Sequence, residues 1–481
     1  MKYLYRLILT AMLVTVSLTS CDDKTAVSDI PINDAEVYFS IDMSMPSINS
    51  GSRSSTTDEG FSTDGFQQAT EAECAIKNML LVFTDVNDNT LLFSLLGESS
   101  IKRDDSNKSL YKAVTSLKLS TVANTLAGKE LNLYVLANPL PGPYNMLNSG
   151  NFILDKAIYN ISVLDDIQLT TLGSLPMSNY ERYKISGLTT SALYKHISDS
   201  DPLILNDYAE GSSNKQPLLL ERCVARLDYK DGSKNSDNSY QIGESGYTVK
   251  LESLQLINIS RAMYCMRHTS SDGSDSETIL FGTEKEESGY IMDTDAALKR
   301  GNSVQPGHFI NEGGKYYADK ATPIDALTID LDGKGYKFWN YITENTLPSI
   351  ESQKQGLSTG IILHTRIINA PENVDLSGPD PITINYRGEE ITVDYSAATS
   401  DNPAGYYIDY FYFIKHNDNN IDGLMGVMEY GIVRNNIYRL SLLSIDGLPR
   451  PYNPDGPDED DRIELMVRVR KWGYHKIEFD M

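Results

Sequence analysis

Beyond its N-terminal segment the chain repeats one pattern: short runs of alternating apolar and polar residues, broken by Ser, Asn, Asp, Gly and Pro. A period of two marks strands, and the breakers mark turns between them. Val37, Phe39, Ile41 and Met43 alternate with Tyr38, Ser40 and Asp42. Met79–Phe83 and Leu131–Ala137 are continuously apolar, which predicts strands covered on both faces. Leu218–Tyr229, Val249–Ile257, Ile361–Ile368 and Tyr406–Ile414 extend the series, and Ser120–Gly128 and Thr190–His196 read as short helices. The expected fold class is all-β.

Polar stretches divide the pattern. Ser47–Asp64, Ser198–Lys215, Lys230–Gly246 and Thr269–Gly289 are too polar to build a core, so a domain boundary is expected near Lys215, with the later two as surface loops. Pro449–Asp461 combines Pro, Gly and a run of acids and reads as an extended linker. The tail after it alternates at Ile463, Leu465, Val467 and Val469, bends at Trp472–Gly473, and resumes at Ile477, Phe479 and Met481. A strand hung on a linker either closes its own sheet or pairs with another chain, because unpaired N–H and C=O groups invite a partner.

The N-terminus carries a different signal. Lys2 and Arg6 precede an apolar stretch from Leu7 to Val16, and Leu18-Thr19-Ser20-Cys21 places small residues at a cut. This is the form of a lipoprotein signal, with Cys21 becoming a lipidated (palmitate-bearing) N-terminus. The apolar run is shorter than the roughly 20 residues a bilayer of ~30 Å requires.

Charge and cysteines narrow the class. The 481-residue chain has 42 Lys and Arg against 66 Asp and Glu, a net charge of -24, which excludes nucleic acid as a partner. Its length allows more than one core. Cys74, Cys223 and Cys265 permit at most one disulfide and read as buried thiols.

Specific motifs then bring in a family. Tyr410–Leu448, with Met428-Glu429-Tyr430 followed by Val433-Arg434-Asn435-Asn436-Ile437-Tyr438 at its centre, resembles the C-terminal region of Bacteroidales major fimbrial subunits, the fimbrillin family of type V pili. Leu133–Asn138, Leu175–Ser178, Arg222–Arg226 and Val467–Trp472 support the resemblance across most of the mature chain. It implies two transthyretin-like β-sandwich domains in tandem, a lipoprotein precursor, and polymerisation by donor-strand exchange after an Arg-specific protease removes the first strand.

Mapped onto this sequence, the implied parts are a signal peptide (1–20), a propeptide with a removable first strand (21–53), an N-terminal sandwich (54–215), a C-terminal sandwich (216–448) and a polymerisation tail (449–481). Cleavage between Arg53 and Ser54 would free the strand bearing Val37, Phe39, Ile41 and Met43. The groove so opened would take the donor strand of a neighbour, with Ile463, Leu465, Val467, Val469 and Trp472. Four buried apolar side chains supply roughly 6 to 12 kcal/mol before ladder bonds and ordering costs.

Other chemistry finds less support. Asp418, Asn420, Asp422, Gly423 and Glu429 match a calcium-loop spacing, but strand-like flanks on both sides favour a polar hairpin. Asp330-Leu331-Asp332-Gly333 reads as a turn. No nucleophile elbow, zinc motif or phosphate loop occurs, and the six His residues are scattered, with His416 and His475 placed near strand ends at the surface. The expectation is a structural pilus subunit and not an enzyme, with no cofactor or metal. Its partners would be copies of itself or related subunits, a processing protease and surface ligands, with a membrane only through the lipid. It would start at the outer membrane and end in an extracellular fimbrium. The alternative is a surface glycan-binding lipoprotein, for which the 30 tyrosines could supply aromatic platforms.

Overall fold

The computed structural model describes residues 35–45, 66–105, 107, 109–149, 157–161, 175–210, 216–270, 290–301, 308–310, 316–331, 333–400, 402–417, 426, 428–456 and 462–473. The first half contains strands β1 (Glu36–Ser44), β2 (Phe66–Gln68), β3 (Asn78–Thr84), β4 (Thr90–Gly97), β5 (Ile101–Arg103), β6 (Leu110–Lys118), β7 (Leu131–Ala137), β8 (Ile158–Asn160), β9 (Met177–Asn179), β10 (Tyr183–Ile185), β11 (Leu203–Ile204) and β12 (Leu218–Arg222). Next come β13 (Ala225–Tyr229), β14 (Ser239–Gln241), β15 (Thr248–Ile257), β16 (Ala262–Tyr264), β17 (His268–Ser270), β18 (Tyr290–Met292), β19 (Thr322–Pro323), β20 (Lys337–Ile342) and β21 (Asn345–Thr346). The series ends with β22 (Gly360–Asn369), β23 (Ile382–Tyr386), β24 (Glu389–Val393), β25 (Tyr395–Ser396), β26 (Gly405–Phe413), β27 (Gly431–Ile432), β28 (Asn436–Ile445) and β29 (Ile463–Gly473).

The chain is β-rich, as the alternation requires. β1 sends Val37, Phe39, Ile41 and Met43 inward, and every residue of β7 is buried, as its continuous apolar run implies. The expected helices occur as Leu119–Thr125 and Thr190–Leu193. Among the described residues no helix is long and apolar enough to cross a membrane.

Two sheet systems emerge. The first runs β4-β3-β7-β9-β12-β1-β6-β5, with β10 on β7 and β11 on β1. It folds over itself, so that Phe39 of β1 meets Phe83 of β3 at 6.3 Å and the Ser94 and Thr115 hydroxyls bond at 2.8 Å. The second has a layer β2-β29-β28-β13-β20 and a layer β14-β15-β22-β26-β25. Tyr240 and Tyr410 of the latter donate to the Leu442 and Gly447 carbonyls, tying the layers together. Most buried apolar side chains fall in one cluster running from Val37 to Leu465, so the two systems share a continuous core, with two smaller clusters around Phe413 and Met428.

Several polar stretches pack more than their composition suggests. The chain changes sheets at Cys223–Val224, because β12 pairs with β1 and β9 while β13 pairs with β20 and β28; the expected boundary lies near Lys215. Ser198–Lys215 contributes buried Leu203, Leu205 and Asn206, and Lys230–Gly246 contributes Tyr240 and Ile242. Lys230–Gly246 is therefore not merely a surface loop, and Ser198–Lys215, though polar, reaches the core. A few apolar residues at the right spacing suffice to dock a polar segment when neighbouring strands satisfy its backbone.

At the sheet change, buried charges link the two systems. Arg226 donates to Glu73 at 2.9 Å and to Asp228 at 2.8 Å, and the Tyr341 hydroxyl donates to Glu73 at 2.7 Å. The same Glu73 caps its own helix through the Thr70 amide. Burial opposes ionisation of Glu73, but Arg226, the Thr70 amide and Arg222 outweigh it and hold its pKa below the usual carboxylate value. Its stabilisation is therefore present above the unfolded pKa and lost only as pH falls through the lower folded one.

Arg226→Met should leave Glu73 and Asp228 buried without their main cation, costing about 3–5 kcal/mol. Burial then raises the Glu73 pKa, so part of the loss should return between about pH 7 and about pH 5. Denaturant unfolding at both values checks this, and an equal cost at both would contradict it.

Candidate functional site

The candidate site is the seat of β1. Along one edge β1 lies antiparallel to β6 in nine consecutive pairs, Glu36 with Lys118 through Ser44 with Leu110. The opposite edge is a composite. The Tyr38 N–H donates to the His196 carbonyl, Phe39 and Ser40 pair parallel with Leu203 and Ile204, and Met43 and Ser44 pair parallel with Leu218 and Leu219. Between the last two stretches the Asn206 side chain stands in for backbone. Its Oδ1 accepts from the Asp42 N–H at 2.7 Å and its Nδ2 donates to the Asp42 carbonyl at 2.9 Å.

Val37, Phe39, Ile41 and Met43 are all between 0 and 1% exposed, so the four side chains named from the alternation do share one buried face. Asn206 was not legible in the sequence: it sits in a polar stretch, and no motif marks it.

The tail is also seated. β29 lies antiparallel on β28 in nine pairs, Ile463 opposite Ile445 through Lys471 opposite Asn436, with a shift between Leu442 and Ser444. On its other edge, Lys471–Gly473 pair parallel with β2. Of the two arrangements left open, a strand on its own sheet is the one present here. Ile463 and Leu465 are buried, whereas Val467 and Val469 are half-buried; Trp472 falls on the end of the strand. The linker before it is held as well. Tyr452 packs at 5.3 Å from Tyr316 and 5.5 Å from Phe411, and the Gln355 and Gly356 amides donate to the Gly456 and Pro454 carbonyls. Pro449–Gly456, read as an extended linker, is largely exposed but is anchored where Tyr452 enters an aromatic pocket.

Cys21, Arg53 and Ser54 lie outside the described residues. So do Asp418, Asn420, Asp422 and Gly423 of the calcium-like spacing, whereas its last member, Glu429, faces Lys415 at 3.8 Å and accepts from the Gly426 amide. The flanking segments are strands, β26 before and β27 and β28 after. Among the described residues no group of three or more His, Cys, Asp or Glu side chains is placed to hold a metal. At the shorter Asp-rich motif, Asp330 accepts from the Gly333 and Gly335 amides, as a turn requires. His416 is half-buried against the Tyr438 hydroxyl at 2.7 Å and so is not simply a surface residue. Cys74, Cys223 and Cys265 are free and buried, and burial pushes the Cys223 thiol up to about 11.

The quoted motifs converge in space. Asn435 accepts from the Arg222 amide and guanidinium and donates its N–H to the Val224 carbonyl. The Cys223 N–H donates to the Pro176 carbonyl, and the Asn138 side chain donates to the Leu175 carbonyl. Asn138 and Asn435 have φ of 49° and 57°, a left-handed conformation that Asn tolerates better than most residues. Arg434, fully buried, bonds Glu344 at 2.9 Å and the Tyr264 carbonyl at 2.8 Å. The motifs thus form the junction that holds the β1-bearing sheet against the tail-bearing one.

Phe39→Ala should destabilise the uncut chain by about 3–5 kcal/mol, whereas Asp42→Ala should stay within about 0.5 kcal/mol because Asp42 is held through its backbone. Equilibrium unfolding of the two variants decides, and a neutral Phe39→Ala would mean β1 is not part of the core.

No curated protein matches the chain. Among solved structures, a candidate cell adhesion protein from Parabacteroides distasonis ATCC 8503 is 16% identical, covering 92% of this chain and 99% of that one at a TM-score of 0.47. A fimbrilin from Porphyromonas gingivalis W83 is 14% identical, covering 91% and 98% at 0.41. The tip fimbrial protein Mfa3 from Porphyromonas gingivalis, with C-terminal truncation, is 12% identical, covering 91% and 100% at 0.39. Residues 405–478, from β26 through the tail, match the family described as major fimbrial subunit protein type IV, fimbrillin, C-terminal. By that match this stretch of the chain is similar to the C-terminal region of the fimbrillin family of fimbrial subunits.

Proposed function

We propose that this chain is the precursor of a fimbrial subunit, that cleavage after Arg53 releases the lipidated segment 21–53 together with β1, and that β29 of a second copy takes the place of β1. The fimbrial role is supported by the likeness of residues 405–478 to the fimbrillin C-terminal region. The replacement step is carried by one observation: the only polypeptide N-terminal to Arg53 among the described residues is a central strand whose inward face is fully buried. Ile463, Leu465, Val467 and Val469 repeat the spacing of Val37, Phe39, Ile41 and Met43. Seated on its own sheet, the tail leaves Val467 and Val469 half-buried, whereas the matching positions of β1 are completely covered. Burying apolar surface at ~25 cal/mol per Å² favours the groove.

The tail must leave β28 before it can be donated. Cys21 then serves as a temporary anchor: the lipid holds the precursor on the outer membrane while β1 blocks the groove, and one cut removes both. The glycan-binding alternative gains nothing from the tyrosines, many of which, including Tyr134, Tyr159, Tyr341, Tyr410 and Tyr438, are core residues.

Two outcomes test the proposal. Arg53→Ala should remain a lipidated monomer when treated with an Arg-specific protease, whereas the natural chain should give detergent-resistant ladders whose N-terminus is Ser54. A Ser444→Cys/Glu464→Cys pair, at paired positions on β28 and β29, should pin the tail when oxidised. Ladders should then vanish and return on reduction. Ladders from the oxidised protein would show that β29 is not the donor.

A further inference from the structure

We propose that Asn206 sets the phase of whatever strand occupies the β1 position, by bracketing the N–H and C=O of a single residue of that strand. The inference rests on the strand-replacement reading above and names the residue that would make replacement specific.

The argument starts from a gap in the ladder. On the composite edge, backbone partners are supplied to Phe39–Ser40 by Leu203–Ile204 and to Met43–Ser44 by Leu218–Leu219. After Ile204 the chain turns away into the 3-10 turn Leu205–Tyr208, so no parallel strand faces Asp42. A primary amide presents an acceptor and a donor side by side, as a peptide group does. Asn206 fills the missing step with that group, bonding both polar atoms of Asp42.

Burial gives the bracket its force. Asn206 is 1% exposed, and its Nδ2 also contacts the Tyr183 hydroxyl at 2.9 Å and the Gln216 carbonyl at 3.2 Å, which fix the direction of the side chain. A strand seated out of phase would cover the Oδ1 without giving it a donor, and a buried acceptor left so is costly.

Phase follows from strand geometry. Backbone N–H and C=O groups of successive residues point to opposite edges, and successive side chains to opposite faces. In β1 the Tyr38 and Asp42 amides face the composite edge, while Val37, Phe39, Ile41 and Met43 fill the core. A slip of one residue turns the bracketed backbone away from Asn206 and every apolar side chain out of the core. For the tail, the bracket is satisfied when Glu464, Met466 or Arg468 faces Asn206, which sends Ile463, Leu465, Val467 and Val469 inward. Because only backbone is read, one residue serves both the resident strand and its replacement.

The test uses the full chain cleaved after Arg53 and a fluorescent peptide of residues 35–45. A second peptide carries an ester in place of the Asp42 N–H. The natural protein should bind the amide peptide roughly tenfold or more tightly than the ester. In Asn206→Ala that ratio should fall close to one; an unchanged ratio would overturn the proposal. Asn206→Asp keeps the acceptor and loses the donor, so it should retain the ester penalty yet release the amide peptide faster than the natural protein. Release at the natural rate would likewise overturn it. The two readings fail separately. An ester penalty that depends on Asn206, with no ladders from the cleaved natural chain, supports the bracket and counts against strand replacement. Ladders with an ester penalty indifferent to Asn206 keep replacement and overturn the bracket.

Discussion

A strand paired on both edges in the middle of a sheet cannot leave without exposing two rows of backbone groups and the apolar face beneath it. β1 is such a strand: nine pairs to β6 on one side, a composite edge on the other, and four side chains with no solvent exposure to speak of. Without it, β5 and β6 would be detached from β12, and the cluster around Phe39 and Phe83 would open to water. The rest of the sheet therefore depends on a strand in that place. Under the proposed function β1 is a plug that a substitute strand must replace.

The second requirement is that the plugged sheet stay fixed relative to the tail that would be donated. Buried charge supplies this. Glu73 belongs to the first part of the chain, while Arg226 and Tyr341 belong to the second, and Glu221 of β12 pairs with Arg267 beyond β16. Such pairs add little net stability over apolar packing, but breaking one is expensive, so they favour a single arrangement of the two sheet systems. The junction ties the sheet that seats β1 to the sheet that carries the tail.

How much of this the sequence shows depends on the range of the interaction. β1, β3, β7 and β22 were legible because alternation or a continuous apolar run is a local property of a strand. The sheet change at Cys223–Val224 was not, because Leu218–Tyr229 is one unbroken pattern that divides only through its partners. The motifs around Asn138, Pro176, Arg222 and Asn435 could be named, yet nothing in their spacing said that they meet. Asn206 was invisible, since a side chain acting as backbone has no periodicity. The tail's alternation suited either its own sheet or another chain's, and only the β28 ladder shows which is occupied here.

The central claim is that a tail from one copy replaces β1 in another, and a photo-cross-linker placed at Val467 tests it most directly. In fibres grown from cleaved subunits, the account predicts adducts between different copies that map to β3 and β6, the elements that surround β1. Adducts confined to β28 of the same copy, in fibres that nonetheless form, would contradict it.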